Sequence, residues 1–277
     1  MNRWFIAALF VLGVVPSLAP AVDIKNIRPC YTPLGATRTD LKCMPADSIF
    51  FSFDIENLAI DAKSGRASYI IIMEFLDPKE KDKDGKEKVI FRRETPHQVT
   101  PPLGAARMPG EMYVTMGTKQ PPGKYSIRLT VHDKQEKDAS KAAKAFAYPI
   151  QVVPETLGFI GVIAPTVGIY GDRHVSGFNL AYLGLDAKDL PNAEVTIKVL
   201  DDKGVATPAG IKMEFPRDLP EGLDLKRQNI VPLQFPLYLN RVGRFTVVIQ
   251  ATDKVSKKEA ELRYPLTVID VGSVSGK

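Results

Sequence analysis

The chain has 277 residues, a formal net charge of +5, 44% apolar residues and 25% charged residues. This composition excludes a disordered chain, a collagen and a polytopic membrane protein, and the length suggests about two domains. With one tryptophan, three histidines and two cysteines, the chain has few residues suited to catalytic or metal clusters. Its 20 glycines and 22 prolines suit a protein rich in strands and turns.

The first 21 residues have the pattern of a secretory signal peptide. Arg3 supplies the positive start, and residues 5–15 form an apolar segment too short to span a bilayer. Ala19-Pro20-Ala21 provides the small residues that precede a cleavage site. We predict cleavage after Ala21 and a secreted or periplasmic mature chain, with an uncleaved anchor as the alternative. We expect no transmembrane segment in the mature chain, because no later run of 18 apolar residues exists.

The two cysteines, Cys30 and Cys43, both lie early in the mature chain. An even number of cysteines in an oxidising compartment predicts one disulfide. This bond would close a turn-rich loop and stabilise the fold by about 3 kcal/mol. Two free thiols or a metal pair are the alternatives, although no histidine or further cysteine lies nearby to complete four metal ligands.

An internal repeat is the most informative feature of the sequence. Four segments recur in the same order, with short insertions and deletions between them. The matching pairs are 47–55 with 172–180, 73–77 with 197–201, 123–134 with 243–254, and 148–152 with 264–268. The chain is therefore predicted to contain two copies of one module.

Within each repeated segment, apolar and polar residues alternate with the period of a half-buried strand. The pattern predicts an all-β fold of two tandem antiparallel β-sandwiches, at residues 22–153 and 154–272, with 273–277 as a flexible tail. Pro149 and Pro265 lie in the last strand of each copy. Because proline cannot donate to a ladder, these strands are predicted to form sheet edges.

The segments at 123–133 and 243–253 resemble the penultimate strand of immunoglobulin-like modules of bacterial secreted and surface proteins. In those modules Gly-x-Tyr opens the strand and Asp closes it, as Gly123, Tyr125 and Asp133 do here. The second copy departs from the pattern, because Phe245 replaces the tyrosine. The resemblance implies a binding or scaffold protein and no catalytic activity.

The residues themselves also indicate no enzyme, no catalytic residues and no cofactor. His97, His132 and His174 are scattered and lie in no known triad or zinc motif. Three aspartate pairs occupy matched strand ends in the two copies, which favours turn capping: Asp61 and Asp186, Asp77 and Asp201, and Asp133 and Asp253. A calcium site that uses Asp133 or Glu155 stays open as an alternative.

Other ligand classes receive little support from the sequence. Basic residues cluster at 79–93, but acidic residues interleave them, so we expect no nucleic-acid binding. Polysaccharide recognition usually needs flat aromatic side chains, and the mature chain has no tryptophan. Tyr113, Tyr170 and Tyr238 are the candidates for such a role, with packing as the alternative role for each.

One difference between the two copies points to an interaction face. In the strand that contains Ile70 and Ile72, the second copy has Glu194 and Thr196 on the corresponding outward side. Isoleucines on a face that one sandwich would leave in water predict that this face is covered. The cover could be a loop such as 100–109, the second module of this chain or a partner protein.

Together these features predict an exported, non-catalytic binding or scaffold protein of the cell envelope. Its expected partner is an envelope or extracellular protein that contacts the tandem modules. The alternatives are a module that binds polysaccharide or matrix, and a calcium-assisted adhesion module. The sequence leaves the oligomeric state undetermined.

Overall fold

The structure, a computed structural model, describes residues 21–33, 35–101, 107–207 and 210–272. Within these ranges the regular secondary structure consists of strands alone, so the all-β prediction is confirmed. The predicted signal peptide, apart from Ala21, and the predicted tail at 273–277 lie outside the described residues.

Eight strands of the first half, here called the first unit, form two sheets. β1, β3 and β6 make a three-stranded sheet, and the second sheet has the order β2-β8-β7-β4-β5. The strand bounds are β1 (Asp23–Cys30), β2 (Lys42–Cys43), β3 (Ser48–Glu56), β4 (Ala67–Lys81), β5 (Glu87–Val99), β6 (Arg107–Thr115), β7 (Gly123–Asp133) and β8 (Ala143–Val152).

The next eight strands form the second unit and repeat this arrangement. The bounds are β9 (Gly158–Ile163), β10 (Val167–Ile169), β11 (Arg173–Ala181), β12 (Ala193–Leu200), β13 (Ile211–Phe215), β14 (Ile230–Tyr238), β15 (Gly243–Asp253) and β16 (Lys258–Ile269). The sheets are β9-β11-β14 and β10-β16-β15-β12-β13, which is the order of the first unit strand for strand. In both units the short second strand pairs in parallel with the last strand.

Alternating side chains explain why each unit closes over its own core. In β7, Tyr125, Ile127, Leu129 and Val131 are all buried, whereas the residues between them are half-buried. They pack against residues of the opposite sheet such as Ile49 and Phe53 of β3, in a core to which both sheets contribute. The second unit has an equivalent core, built from both of its own sheets.

The prediction that Pro149 and Pro265 lie in edge strands holds for only part of each strand. β2 continues the sheet beyond β8, but it pairs only at Gln151 and Val152. In the second unit β10 likewise pairs with β16 only from Thr267 onward. Pairing with the added strand therefore begins two residues beyond each proline, where the N–H groups of Gln151 and Thr267 donate to the carbonyls of Leu41 and Thr166.

The repeated aspartates cap turns, as predicted. Asp133 accepts backbone N–H bonds from Ala59 at 2.6 Å and from Gln135 at 2.8 Å. Asp253 is bound in the same way by Gly184 at 2.6 Å and Val255 at 2.9 Å. Each carboxylate thus ties the end of one strand to a distant loop of its own unit.

The loop between β1 and β2 reaches across to the second unit. The side chain of Ala36 is fully buried in the second unit's core, and its N–H donates to the carbonyl of Ala164 at 3.1 Å. Farther along the chain, the Tyr182 hydroxyl donates to the carbonyl of Pro45 at 2.9 Å. Residues of the first unit therefore complete the packing of the second.

The structure contradicts the predicted disulfide, because Cys30 and Cys43 are both free and buried. Cys30 lies opposite Phe50 in the three-stranded sheet, whereas Cys43 lies opposite Val152 in the five-stranded sheet. The two thiols thus belong to different sheets. Burial raises the pKa of Cys43 to about 12, so this thiol stays protonated.

An ion pair holds the loop that the disulfide was expected to staple. Nη2 of Arg38 lies 2.7 Å from Oδ2 of Asp47, and both side chains are almost fully buried. Arg38 also donates to the carbonyl of Ser48 at 3.3 Å, and its guanidinium lies over the ring of Tyr31. The N–H of Gly161, in the second unit, reaches Asp47 at 3.4 Å. One buried carboxylate therefore joins the loop to both units.

Candidate interaction face

The predicted interaction residues Ile70 and Ile72 lie on β4, on the side of the five-stranded sheet that faces away from the core. Their neighbours Ile71 and Met73 point inward and are buried, which fixes the outward parity of the two isoleucines. Three outward alanines of β8 and two residues of β7 share this side. We call this set the isoleucine–alanine face: Ile70, Ile72, Thr130, His132, Ala143, Ala145 and Ala147.

The strand register arranges this face in straight rows across three strands. One row runs from Ile70 through His132 to Ala143. The next runs from Ile72 through Thr130 to Ala145. β4 therefore carries the bulky side chains and β8 carries the small ones, with β7 lying between these two strands.

No covering layer lies over the isoleucine–alanine face within the residues that the structure describes. The three alanines are exposed, and both isoleucines are half-buried, as are Glu194 and Thr196 at the matching positions of the second unit. The loop at 100–109 was one predicted cover. Its last residues, 107–109, belong to β6 in the opposite sheet, and 102–106 lie outside the described ranges.

A charge cluster borders the face at the next row. Glu74 accepts hydrogen bonds from Arg92 at 2.6 Å and from Arg128 at 2.7 Å, and its side chain is only 8% exposed. Burial acts to raise the pKa of Glu74, but the two arginines outweigh that effect and hold it below its ordinary value. The carboxylate therefore stays charged, and Glu94 also binds Arg92 at 2.6 Å.

The corresponding face of the second unit carries only charged or polar side chains in the two matching rows. Its first row contains Glu194, Thr252 and Glu259, and its second contains Thr196, Gln250 and Glu261. Lys212 lies 3.1 Å from Glu194. The same backbone thus carries an apolar surface in one unit and a solvated surface in the other.

The sequence analysis identified the isoleucines but missed the alanines of β8. Ala143, Ala145 and Ala147 received no role there, although they alternate along one strand. The signal was available in the repeat, because Ala143 and Ala145 correspond to Glu259 and Glu261. Both strands lack charges in the two rows of Ile70 and Ile72, which is stronger support for an interaction face than two isoleucines alone.

The three histidines do not come together. The ring of His97 stacks on Tyr69 with centroids 4.9 Å apart, and burial lowers its pKa. His174 lies in the second unit, and burial lowers its pKa as well. His132 bonds through Nδ1 to the carbonyl oxygen of Asp133 at 3.0 Å. Each imidazole therefore has a separate packing environment.

The candidate calcium ligands are not brought together with other donors. The described residues contain no group of three or more His, Cys, Asp or Glu side chains that could hold a metal ion. Backbone N–H groups already occupy both oxygens of Asp133, which leaves that carboxylate poorly placed as a metal ligand. Across the same ranges, no helix has the length and apolar character to cross a membrane.

The candidate tyrosines lie in different places. Tyr113 stacks on Phe50 and lies beneath the guanidinium of Arg93, while 40% of it stays exposed. Tyr170 is 51% exposed and Tyr238 is 72% exposed, both in the second unit.

Tyr238 also lines an apolar groove of about 700 Å³ near the ends of β13 and β14. β13 has 5 residues where its counterpart β5 has 13, which leaves this end of the second unit open.

Comparisons with known proteins add no functional assignment. No protein-family model matches the chain, and no curated protein matches its sequence. Among solved structures, the alkylpurine DNA glycosylase AlkC of Pseudomonas fluorescens, bound to DNA containing an abasic site analog, is similar over 48% of this chain and 30% of its own. The TM-score is 0.30 and the sequence identity 11%, values that support no argument about fold or activity.

Proposed function

We propose that the chain is an exported, non-catalytic binding or scaffold protein of the cell envelope, built from two tandem immunoglobulin-like sandwiches. The sandwiches correspond to residues 22–153 and 154–272. Their shared strand order, and the core that each builds mainly from its own two sheets, support this assignment. So does the Tyr125 hydroxyl, which donates to the carbonyl of Pro121 at 2.9 Å in the geometry of a tyrosine corner.

The isoleucine–alanine face is the observation that carries the binding function. It contains no Asp, Glu, Lys or Arg, extends across three strands, and has no covering layer among the described residues. Soluble monomers rarely expose contiguous apolar patches that have no function. The second unit shows that the same backbone folds with charges at these positions, so the apolar residues serve a purpose other than folding.

Site-specific photo-crosslinking in the native envelope tests this function. A photoreactive amino acid replaces Ala145 on the face, and the matched control carries it at Glu261, the corresponding position of the second unit. We expect protein adducts from position 145 and few from position 261. No adduct at either position, or equal adducts at both, would contradict the proposed function.

A further inference from the structure

We propose that the groove at the open end of the second unit binds a fatty-acid-type ligand, an alkyl chain that ends in a carboxylate. The groove has a volume of about 700 Å³ and lies between the two sheets, where β13 and β14 form their edges. This volume is ordinary for a small-molecule site. The groove is separate from the isoleucine–alanine face, so the proposal does not rest on the proposed function.

The first unit shows which side chain fills the equivalent space. There the ring of Phe75 stacks against the ring of Tyr125 with centroids 5.0 Å apart, and both residues are buried. The second unit has Val199 at the position of Phe75. Val199 is half-buried and lines the groove together with Phe245, the counterpart of Tyr125. The smaller side chain therefore leaves the core of the second unit open at this end.

The floor of the groove consists of core side chains that an alkyl chain can contact. Phe245 on β15 and Leu266 and Val268 on β16 belong to the hydrophobic core and line the groove. Across the sheet the lining extends from Ile211 on β13, through Val199 on β12, to these residues. Three strand spacings of about 4.8 Å make this distance about 14 Å. An alkyl chain of about ten to twelve carbons has this length, because each carbon adds about 1.3 Å when C–C bonds measure about 1.5 Å.

The charge at the groove is positive. Among the described residues that line it, Arg241 is the only Lys, Arg, Asp or Glu. Its guanidinium lies over the ring of Phe245, 5.0 Å from the centroid, and donates no hydrogen bond to a described residue. Oδ2 of Asp201 lies 3.9 Å from Nη2 of Arg241, beyond hydrogen-bond distance, while Oδ1 accepts two backbone N–H groups of the following turn. The guanidinium therefore keeps its donors for a carboxylate at the mouth of the groove.

Isothermal titration calorimetry of the exported chain with octanoate, decanoate and dodecanoate tests the role of the alkyl chain. We expect decanoate to bind with a dissociation constant below about 1 mM. Each buried methylene should tighten binding about threefold to fourfold, so dodecanoate should bind about 100-fold more tightly than octanoate. An affinity that does not rise with chain length would overturn the proposal, as would a chain that binds no decanoate at about 1 mM.

Val199→Phe tests whether the ligand occupies the groove. This change introduces the side chain that the first unit has at Phe75, so the variant is expected to fold and to bind decanoate more weakly by about tenfold or more. Thr196→Phe is the matched control, because it adds a ring on the same strand but on the side of the sheet that faces away from the core. It should leave the affinity unchanged. A folded Val199→Phe chain, verified by circular dichroism, that binds decanoate like the parent would overturn the site.

Arg241→Gln tests the head group, and decanol is the uncharged comparison ligand. The variant should weaken decanoate binding about tenfold and leave decanol binding within about twofold of the parent. An equal loss for both ligands, or no loss for decanoate, would overturn the role of the carboxylate. Should Val199→Phe fail to fold, this comparison and the chain-length series decide the proposal without it.

Discussion

Removal of the buried carboxylate of Asp47 should destabilise the protein severely. Asp47 is 3% exposed at its side chain, and its partner Arg38 is 7% exposed. Asp47→Ala removes the acceptor for Arg38 at 2.7 Å, for the N–H of Ser48 at 2.8 Å and for the N–H of Gly161 at 3.4 Å. The guanidinium of Arg38 is then left buried without a counter-charge.

The expected loss is about 3–5 kcal/mol of unfolding free energy, the usual cost of leaving one member of a buried ion pair unpaired. Asp172→Ala is the matched control, because Asp172 holds the same place in the repeat and is exposed. We expect that change to stay within about 0.5 kcal/mol of the parent. The double variant Arg38→Met with Asp47→Leu removes both charges and should recover most of the loss.

Urea unfolding at pH 7, followed by circular dichroism, measures all three variants against the parent chain. The reasoning would be refuted if Asp47→Ala cost no more than Asp172→Ala. It would also fail if the double variant were as unstable as the single one, because the penalty would then arise from lost packing and not from an unpaired charge.

Three further predictions use the same assay or a thiol titration. Burial acts to raise the pKa of Asp253, but bonds donated by Ser256 and backbone N–H groups outweigh it and hold the pKa below its ordinary value. The resulting stability is present above about pH 4 and is lost as the pH falls through the folded-state pKa, so Asp253→Asn should flatten this acid dependence. Cys30 and Cys43 should resist thiol reagents in the folded chain and react after unfolding without reductant, because both are free and buried. Tyr125→Phe should cost about 1 kcal/mol, because the hydroxyl loses its bond to a backbone carbonyl.

Each of these predictions has a distinct contradicting result. An Asp253→Asn chain with the acid dependence of the parent would show that the carboxylate is not held charged by its donors. If the thiols of the unfolded chain react only after reduction, Cys30 and Cys43 form a disulfide after all. A Tyr125→Phe chain as stable as the parent would mean that water replaces the hydroxyl at no cost.

The strands and turns could be predicted because their signals are local in the sequence. The alternation at 123–133 reports directly which side chains of β7 are buried. The repeat then transfers each interpretation to the second copy, so the capping roles of Asp133 and Asp253 support each other. Features that need only one strand and its following turn are therefore visible in the order of the residues alone.

The contacts of the β1–β2 loop could not be predicted, because they depend on which distant surfaces meet. Arg38 looked like any other basic residue, and its burial beside Asp47 follows from the loop being enclosed between two units. The two cysteines showed an even count and a plausible spacing, but spacing does not reveal that their strands belong to different sheets. The alanines of the interaction face were missed for a related reason. They form an apolar surface only together with Ile70 and Ile72, which lie two strands away in the sheet.

The burial of Ala36 in the second unit's core also bears on how this duplicated chain can change during evolution. A repeat suggests two pieces that can be copied, lost or rearranged independently, with a break near Pro154. A gene break at that point would leave the second unit without Ala36 and without the neighbouring Tyr31. The second unit therefore depends on the first for part of its core, and we expect the chain to unfold in a single cooperative step.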